Sequence, residues 1–188
     1  MAPVHGLILG GQKSGKSRLA EQQAAAWLAA EPGHRATLVA TAQPGDAEMA
    51  LRIARHQADR AARVPGLATL EEPADLAGVL RRHSASNHLL VVDCLTLWLT
   101  QRLMPLQGDG LDDAALAAET ARLLAALQQA PGPVLWVSNE IGLGVSPLGR
   151  EVRRFLDALG WLHQQIAASC GRVQLMVAGI PLTVKGPP

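Results

Sequence analysis

The residues best suited to chemistry lie near the start of the chain, in "GLILGGQKSGKSRLAE" (6–21). Gly10, Gly11, Gln12, Lys13, Ser14, Gly15, Lys16 and Ser17 fit the spacing GxxxxGK[ST]. Backbone N–H groups of such a glycine-rich turn converge on phosphate oxygens, and a helix starting there adds the positive end of its dipole. Lys16 then reaches the β- and γ-phosphates, and the Ser17 hydroxyl suits Mg²⁺. A chance glycine turn is the plain alternative. The apolar run before the loop and the helical pattern after it speak against that.

Three further places carry polar chemistry. Asp93 ends the apolar run "LLVVD". A carboxylate at the carboxyl end of a buried parallel strand sits on the edge where ligands bind, and in P-loop proteins that position orders Mg²⁺; a helix-capping aspartate is the alternative. His56 lies in "RIARHQADR" among Arg52, Arg55, Arg60 and Arg63. Arg52 and Arg60 stand four residues either side of it, on one helical face. That face suits an anion, unless it is only a solvated basic surface. In "VSNEIGLGVSP" (137–147), Ser138, Asn139 and Glu140 follow an apolar strand directly. Gly142 and Gly144 then permit an unusual loop, suited to substrate contacts or to an ordinary strand-to-helix connection. Cys94 reads as a buried strand cysteine, since nothing beside it lowers a thiol pKa.

Alternating elements must position these groups. Residues 4–9, 36–42, 67–73, 132–140 and the start of 88–100 are apolar runs that suit buried strands. Residues 172–185 read as a last strand or a pair of them. Helical spacing runs through "SRLAEQQAAAWLAA" after the loop, 46–63 with Asp46 as N-cap, 74–83, 112–130 and 147–170. Strands that are continuously apolar and alternate with helices predict an α/β layer fold with a mostly parallel sheet. The expected architecture is a P-loop NTPase-like (RecA-like) three-layer fold, with an antiparallel element near the C-terminus, as one domain over 1–188.

Composition narrows the classes. The chain has 188 residues, 48% of them hydrophobic, which argues against disorder. It holds four Trp, one Phe and no Tyr, so Leu, Val, Ile and Ala must build the core. A net charge of +1 and no basic run give no footprint for nucleic acid or a membrane surface. Two cysteines without CxxC spacing argue against a disulfide framework or zinc site. The N-terminus lacks a basic leader, and no apolar run reaches membrane-span length. A cytoplasmic protein is expected.

Taken together, "GGQKSGKSRLAE", "VATAQPGDAEMALRIARHQADR", "VVDCLTLWLT", "VSNEIGLGVSP" and "VAGIPLTVK" resemble the bifunctional adenosylcobinamide kinase / adenosylcobinamide-phosphate guanylyltransferases of cobalamin biosynthesis, over residues 6–185. The resemblance implies two reactions. A nucleoside triphosphate, ATP or GTP, phosphorylates the aminopropanol hydroxyl of adenosylcobinamide. GMP from GTP is then transferred to that phosphate, through a covalent histidine–GMP. The matching histidine is His56. By the same resemblance Gly10 to Ser17 hold phosphates, and Ala40, Thr41 and Ala42 lie near the nucleotide. Gln57, Ala58, Asp59 and Arg60 contact the guanine nucleotide, and Glu71 and Asp93 are further nucleotide contacts. Ser17 and Asp93 would hold Mg²⁺. A homo-oligomer, with a trimer favoured, is also implied.

Two departures stand out. Lys13 replaces an arginine common in the family, which keeps the charge and loses the planar fork. "RAARVPGLATLEEP" lacks the Arg-Pro and Trp often found after the histidine. His34, His83, His88 and His163 match nothing functional. Two other readings compete. A nucleotide-cycling regulatory module would need switch segments and, for a G protein, a base-reading NKxD, which the chain lacks. A plain small-molecule kinase shares the loop and Asp93 but has no use for a nucleophilic His56.

Overall fold

The computed structural model describes residues 4–43, 58 and 62–187. Seven strands form one sheet: β1 (Gly6–Gly10), β2 (Arg35–Ala40), β3 (Leu67–Glu71), β4 (His88–Asp93), β5 (Val134–Asn139), β6 (Arg172–Val177) and β7 (Ile180–Lys185). Their order across the sheet is β3-β2-β4-β5-β1-β6-β7. Neighbours pair in parallel except β6 with β7. The helices are α1 (Lys16–Ala30), α2 (Leu76–His83), α3 (Leu95–Leu103), α4 (Asp113–Gln129) and α5 (Arg150–Ser169).

Strand periodicity sorts the core into two layers, because successive side chains point to opposite faces. Leu7, Leu90, Val92, Val134 and Trp136 face one way and meet Leu80 of α2, Trp98 of α3, Leu127 of α4 and Leu159 of α5. Ile8, Val91, Leu135 and Val137 face the other way and meet Ala20 and Ala24 of α1. The central strands are therefore apolar at nearly every position, as parallel strands covered on both faces must be. Asp75 and Asp112 cap α2 and α4 through the amides of Gly78 and Ala115, satisfying helix-end donors.

Among the described residues the expected elements stand, with shifted ends. The run 88–100 splits at Cys94, where strand gives way to α3. Leu95, Trp98 and Leu99 keep a helical stripe that an apolar run alone does not reveal. Gly160 does not interrupt α5. Residues 172–185 are a pair of strands joined by Ala178 and Gly179, both at positive φ, the geometry of a tight hairpin turn. The helix expected over 46–63, with Asp46 as its cap, falls largely outside the described residues. Ala58 and residues 62–63 are helical.

Candidate active site

The glycine-rich loop bends straight out of β1 at the carboxyl edge of the sheet. A side chain on Gly10 would come within 2.6 Å of Ser14 Oγ and 2.7 Å of the Met176 carbonyl oxygen, so the turn is possible only with glycine. Gly15 has φ 101° and precedes α1 without any side-chain cap, and the first turn of α1 carries no acidic residue. The helix brings no acid of its own to its positive end. Ser14 N–H closes the loop on the Gly11 carbonyl at 3.2 Å.

Two neighbours pin the loop from outside. The Glu140 amide donates to the Gly10 carbonyl at 3.0 Å, and the Gly179 amide to the Ser14 carbonyl at 3.0 Å. Lys16 is buried, and its Nζ donates to the Gly11 carbonyl at 2.7 Å. Burial lowers the Lys16 pKa, while Cys94 and Asp93 pull it the other way.

Ser17 Oγ donates to Asp93 Oδ2 at 2.9 Å. The loop of β1 and the end of β4 thus meet across the tip of β5, which lies between them in the sheet. A hydroxyl and a carboxylate in contact are hard oxygen donors. They match an ion such as Mg²⁺, which takes one or two protein oxygens and completes its shell with phosphate and water. Among the described residues no cluster of three or more His, Cys, Asp or Glu forms an all-protein metal cage.

The other expected site residues divide. Ala40, Thr41 and Ala42 do lie at the carboxyl edge, at and just beyond the end of β2. Thr41, though, is fully buried. Its hydroxyl donates to the Cys94 carbonyl and accepts from the Cys94 amide, both at 2.8 Å, which ties β2 to the turn after Asp93. Glu71 ends β3 and is exposed. In the strand order it stands four spacings from β1, about 19 Å away. Gln12 and Lys13 are exposed on the loop, and Ala58 is exposed on its helix. His56, Gln57, Asp59 and Arg60 lie outside the described residues, as do Arg52 and Arg55. Arg63 forks onto buried Glu21 at 2.8 and 3.1 Å.

Cys94 is not a nucleophile at neutral pH. Burial pushes its pKa up to about 11, and the charge of Asp93 acts in the same direction. A cavity of about 420 Å³, lined by His5, Trp27, Pro133 and Arg172, opens at the amino-terminal edge of the sheet. That is the end opposite the loop, so it plays no part in phosphate binding.

Sequence reasoning missed one group. His163 sits in the buried stripe of α5 with Phe155, Leu159, Leu162 and Ile166. Its Nε2 lies 2.8 Å from Ser138 Oγ, and its Nδ1 lies 4.0 Å from Glu140 Oε2. A histidine at the spacing of an apolar stripe was the available signal, since a buried imidazole needs a partner.

A parallel sheet with this loop after β1, and a carboxylate two strands away touching its terminal serine, defines a P-loop nucleotide-binding enzyme of the RecA-like three-layer class. Flagellar accessory protein FlaH from Methanocaldococcus jannaschii has the same overall fold, with a TM-score of 0.53 over 98% of this chain and 80% of that one at 12% identity. The family described as cobinamide kinase / cobinamide phosphate guanyltransferase matches residues 6–184. Bifunctional adenosylcobalamin biosynthesis protein CobP of Pseudomonas aeruginosa is 50% identical over 97% of this chain and 98% of its own length. The Escherichia coli K12 protein of that description, CobU, is 34% identical over 95% of this chain and 98% of its own. The chain belongs to the cobinamide kinase / cobinamide phosphate guanyltransferase family, and its enzymology is that of adenosylcobalamin biosynthesis.

Proposed function

We propose that one nucleotide site, built from Gly10 to Ser17 and Asp93, serves both reactions, and that GMP passes through a covalent bond to His56. The contact between Ser17 and Asp93 supports the nucleotide-site half of this reading. It joins the phosphate loop to a carboxylate that nothing in phosphate binding alone requires. In the kinase step the aminopropanol hydroxyl of adenosylcobinamide attacks the γ-phosphate of ATP or GTP. In the second step an imidazole nitrogen of His56 attacks the α-phosphate of GTP and expels pyrophosphate. The phosphate of adenosylcobinamide phosphate then takes GMP from the histidine, which splits one hard transfer into two easier ones.

Mg²⁺, when bound, neutralises charge on the triphosphate. Ser17 and Asp93 would hold it, and the loop amides and Lys16 would orient the phosphates. Ala40, Thr41 and Ala42 would flank the nucleotide, with Thr41 acting through its backbone because its hydroxyl is engaged. Gln57, Ala58, Asp59, Arg60 and Glu71 would serve the guanine nucleotide.

A homo-oligomer, with a trimer as the favoured form, completes the reading. Ile180, Leu182 and Val184 of β7 are all exposed, and Leu143, Val145 and Leu148 are more than four-fifths exposed. Apolar surface of this kind suits a subunit contact. No helix among the described residues is long and apolar enough to cross a membrane, and the proposed compartment is the cytoplasm.

The test uses GTP labelled at the α- or the γ-phosphate, with Mg²⁺ and adenosylcobinamide. Label from the γ-position should reach the corrinoid, and label from the α-position should appear on the denatured chain in an acid-labile, base-stable bond. Failure of α-label to attach would leave a plain kinase. Asp93→Asn keeps an acceptor for Ser17 and removes the charge. It is expected to raise the Mg²⁺ needed for half-maximal activity by about 10- to 100-fold, read by titrating Mg²⁺ against phosphoryl transfer. An unchanged Mg²⁺ requirement would place the ion elsewhere.

A further inference from the structure

The phosphate loop and the Ser17–Asp93 pair explain how a nucleotide is held, but neither removes the proton from the hydroxyl that is phosphorylated. The tip of β5 holds a group that can. Gly10 pairs in register with Asn139, and Asp93 with Val137. Glu140 therefore leaves the sheet between the phosphate loop and Asp93. A terminal phosphate held between Lys16 and the Ser17–Asp93 pair would face that tip.

The carboxylate of Glu140 is held at one oxygen and faces an imidazole with the other. Oε1 accepts the Gly142 amide at 2.7 Å, and Oε2 looks toward His163 Nδ1 at 4.0 Å. Its side chain keeps 23% of its exposure, so a substrate hydroxyl can reach it and a proton can leave it. A buried chain of hydroxyls fixes the imidazole behind it. The Asn139 amide donates to Thr96 Oγ1 at 2.8 Å, and Thr96 Oγ1 lies 3.0 Å from Ser138 Oγ. Beside Thr96 are two acceptors, the Cys94 thiol and the Ser138 oxygen, and oxygen is the stronger. A chain running from Thr96 through Ser138 to His163 Nε2 leaves the remaining ring proton on Nδ1, facing Glu140. Burial lowers the His163 pKa, against the pull of Glu140, which favours the neutral ring that this chain requires. The 4.0 Å separation exceeds a hydrogen bond, and such contacts commonly shorten when substrate binds.

We propose that Glu140 is the general base of the kinase step and that His163 is its positioning residue. The inference rests on the family's kinase reaction. The substrate hydroxyl oxygen forms the new bond to the γ-phosphorus as the bond from phosphorus to the bridging oxygen breaks. The nucleoside diphosphate leaves with that electron pair, and the hydroxyl proton passes to Glu140 Oε2 and then to solvent. Covalent GMP formation uses an imidazole nitrogen and needs no such base, so the two reactions should respond differently.

The experiment compares wild-type enzyme, Glu140→Gln, His163→Gln and His163→Asn in two assays: phosphorylation of adenosylcobinamide, and covalent GMP formation from α-labelled GTP. Glu140→Gln should lower the kinase kcat by about 100-fold or more, and by at least 30-fold more than it lowers covalent GMP formation. His163→Gln places its amide near Nε2 and loses the donor aimed at Glu140. It should lower the kinase kcat about tenfold with little change in KM. His163→Asn keeps a donor near Nδ1 and should recover most of that loss. Melting temperatures identify any variant that fails to fold. Equal loss of both activities in Glu140→Gln would show a structural loop residue and overturn the proposal. So would an unchanged kinase rate, because a loose transition state can leave the proton to the transferred phosphate. Wild-type enzyme that forms covalent GMP yet never phosphorylates the corrinoid would instead overturn the kinase reading itself.

Discussion

Replacing His56 with alanine should abolish covalent GMP on the chain and cut guanylyl transfer on the order of 10⁴-fold or more, with a far smaller loss in phosphorylation of adenosylcobinamide. The size follows from the role. A nucleophile that forms the intermediate cannot be bypassed, and removing one costs about as much as removing the whole catalytic group. The asymmetry follows from the chemistry. The kinase step joins the γ-phosphate to a substrate oxygen and makes no bond to the enzyme. The measurement is the α-label experiment on wild type and variant side by side, with acid and alkali treatment of the denatured protein. Label retained by His56→Ala would move the nucleophile to another residue. Cys94 and Cys170 are poor candidates for that place, because burial raises their thiols to about 11 and about 12.

Lys16→Ala should impair both reactions together, by about 100- to 1,000-fold in kcat, the cost of losing one preorganised donor to a transferring phosphoryl group. The effect on folding should be small. Lys16 Nζ meets a loop carbonyl, not a buried carboxylate, so alanine removes a donor without stranding an opposite charge. Kinase and guanylylation assays on one preparation check this. If the kinase falls and guanylylation stands, the two reactions use separate nucleotide sites.

Much of this architecture could be read directly from residue order. The loop announced itself because two of its glycines have no substitute. Gly10 has no room for a side chain and Gly15 lies at positive φ. The parallel sheet was legible because β4 and β5 are apolar on both faces. Asp93 was legible because a charge cannot sit inside such a run and must mark its end. The helix that follows was harder to see, since "CLTLWLT" is apolar enough to continue a strand. His163 was hidden for another reason: its partners Ser138 and Glu140 are more than twenty positions away in the chain. Only the packing of α5 against β5 brings them together. Likewise, the fork of Arg63 onto Glu21 joins residues 42 apart, and spacing along one helix cannot reveal it.

The phosphate loop is moored before any nucleotide arrives. Its first carbonyl is held from the end of β5, its middle from the hairpin of β6 and β7, and its lysine rests on its own backbone. Ordering a residue's backbone costs about 1–2 kcal/mol. For these residues that entropy is lost once, when the chain folds, and not again at each turnover. An arriving triphosphate only has to draw Lys16 away from one carbonyl. The loop therefore need not find its shape again at each exchange of spent for fresh nucleotide. The last two strands, which carry no reacting group, thus help to set the readiness of the first.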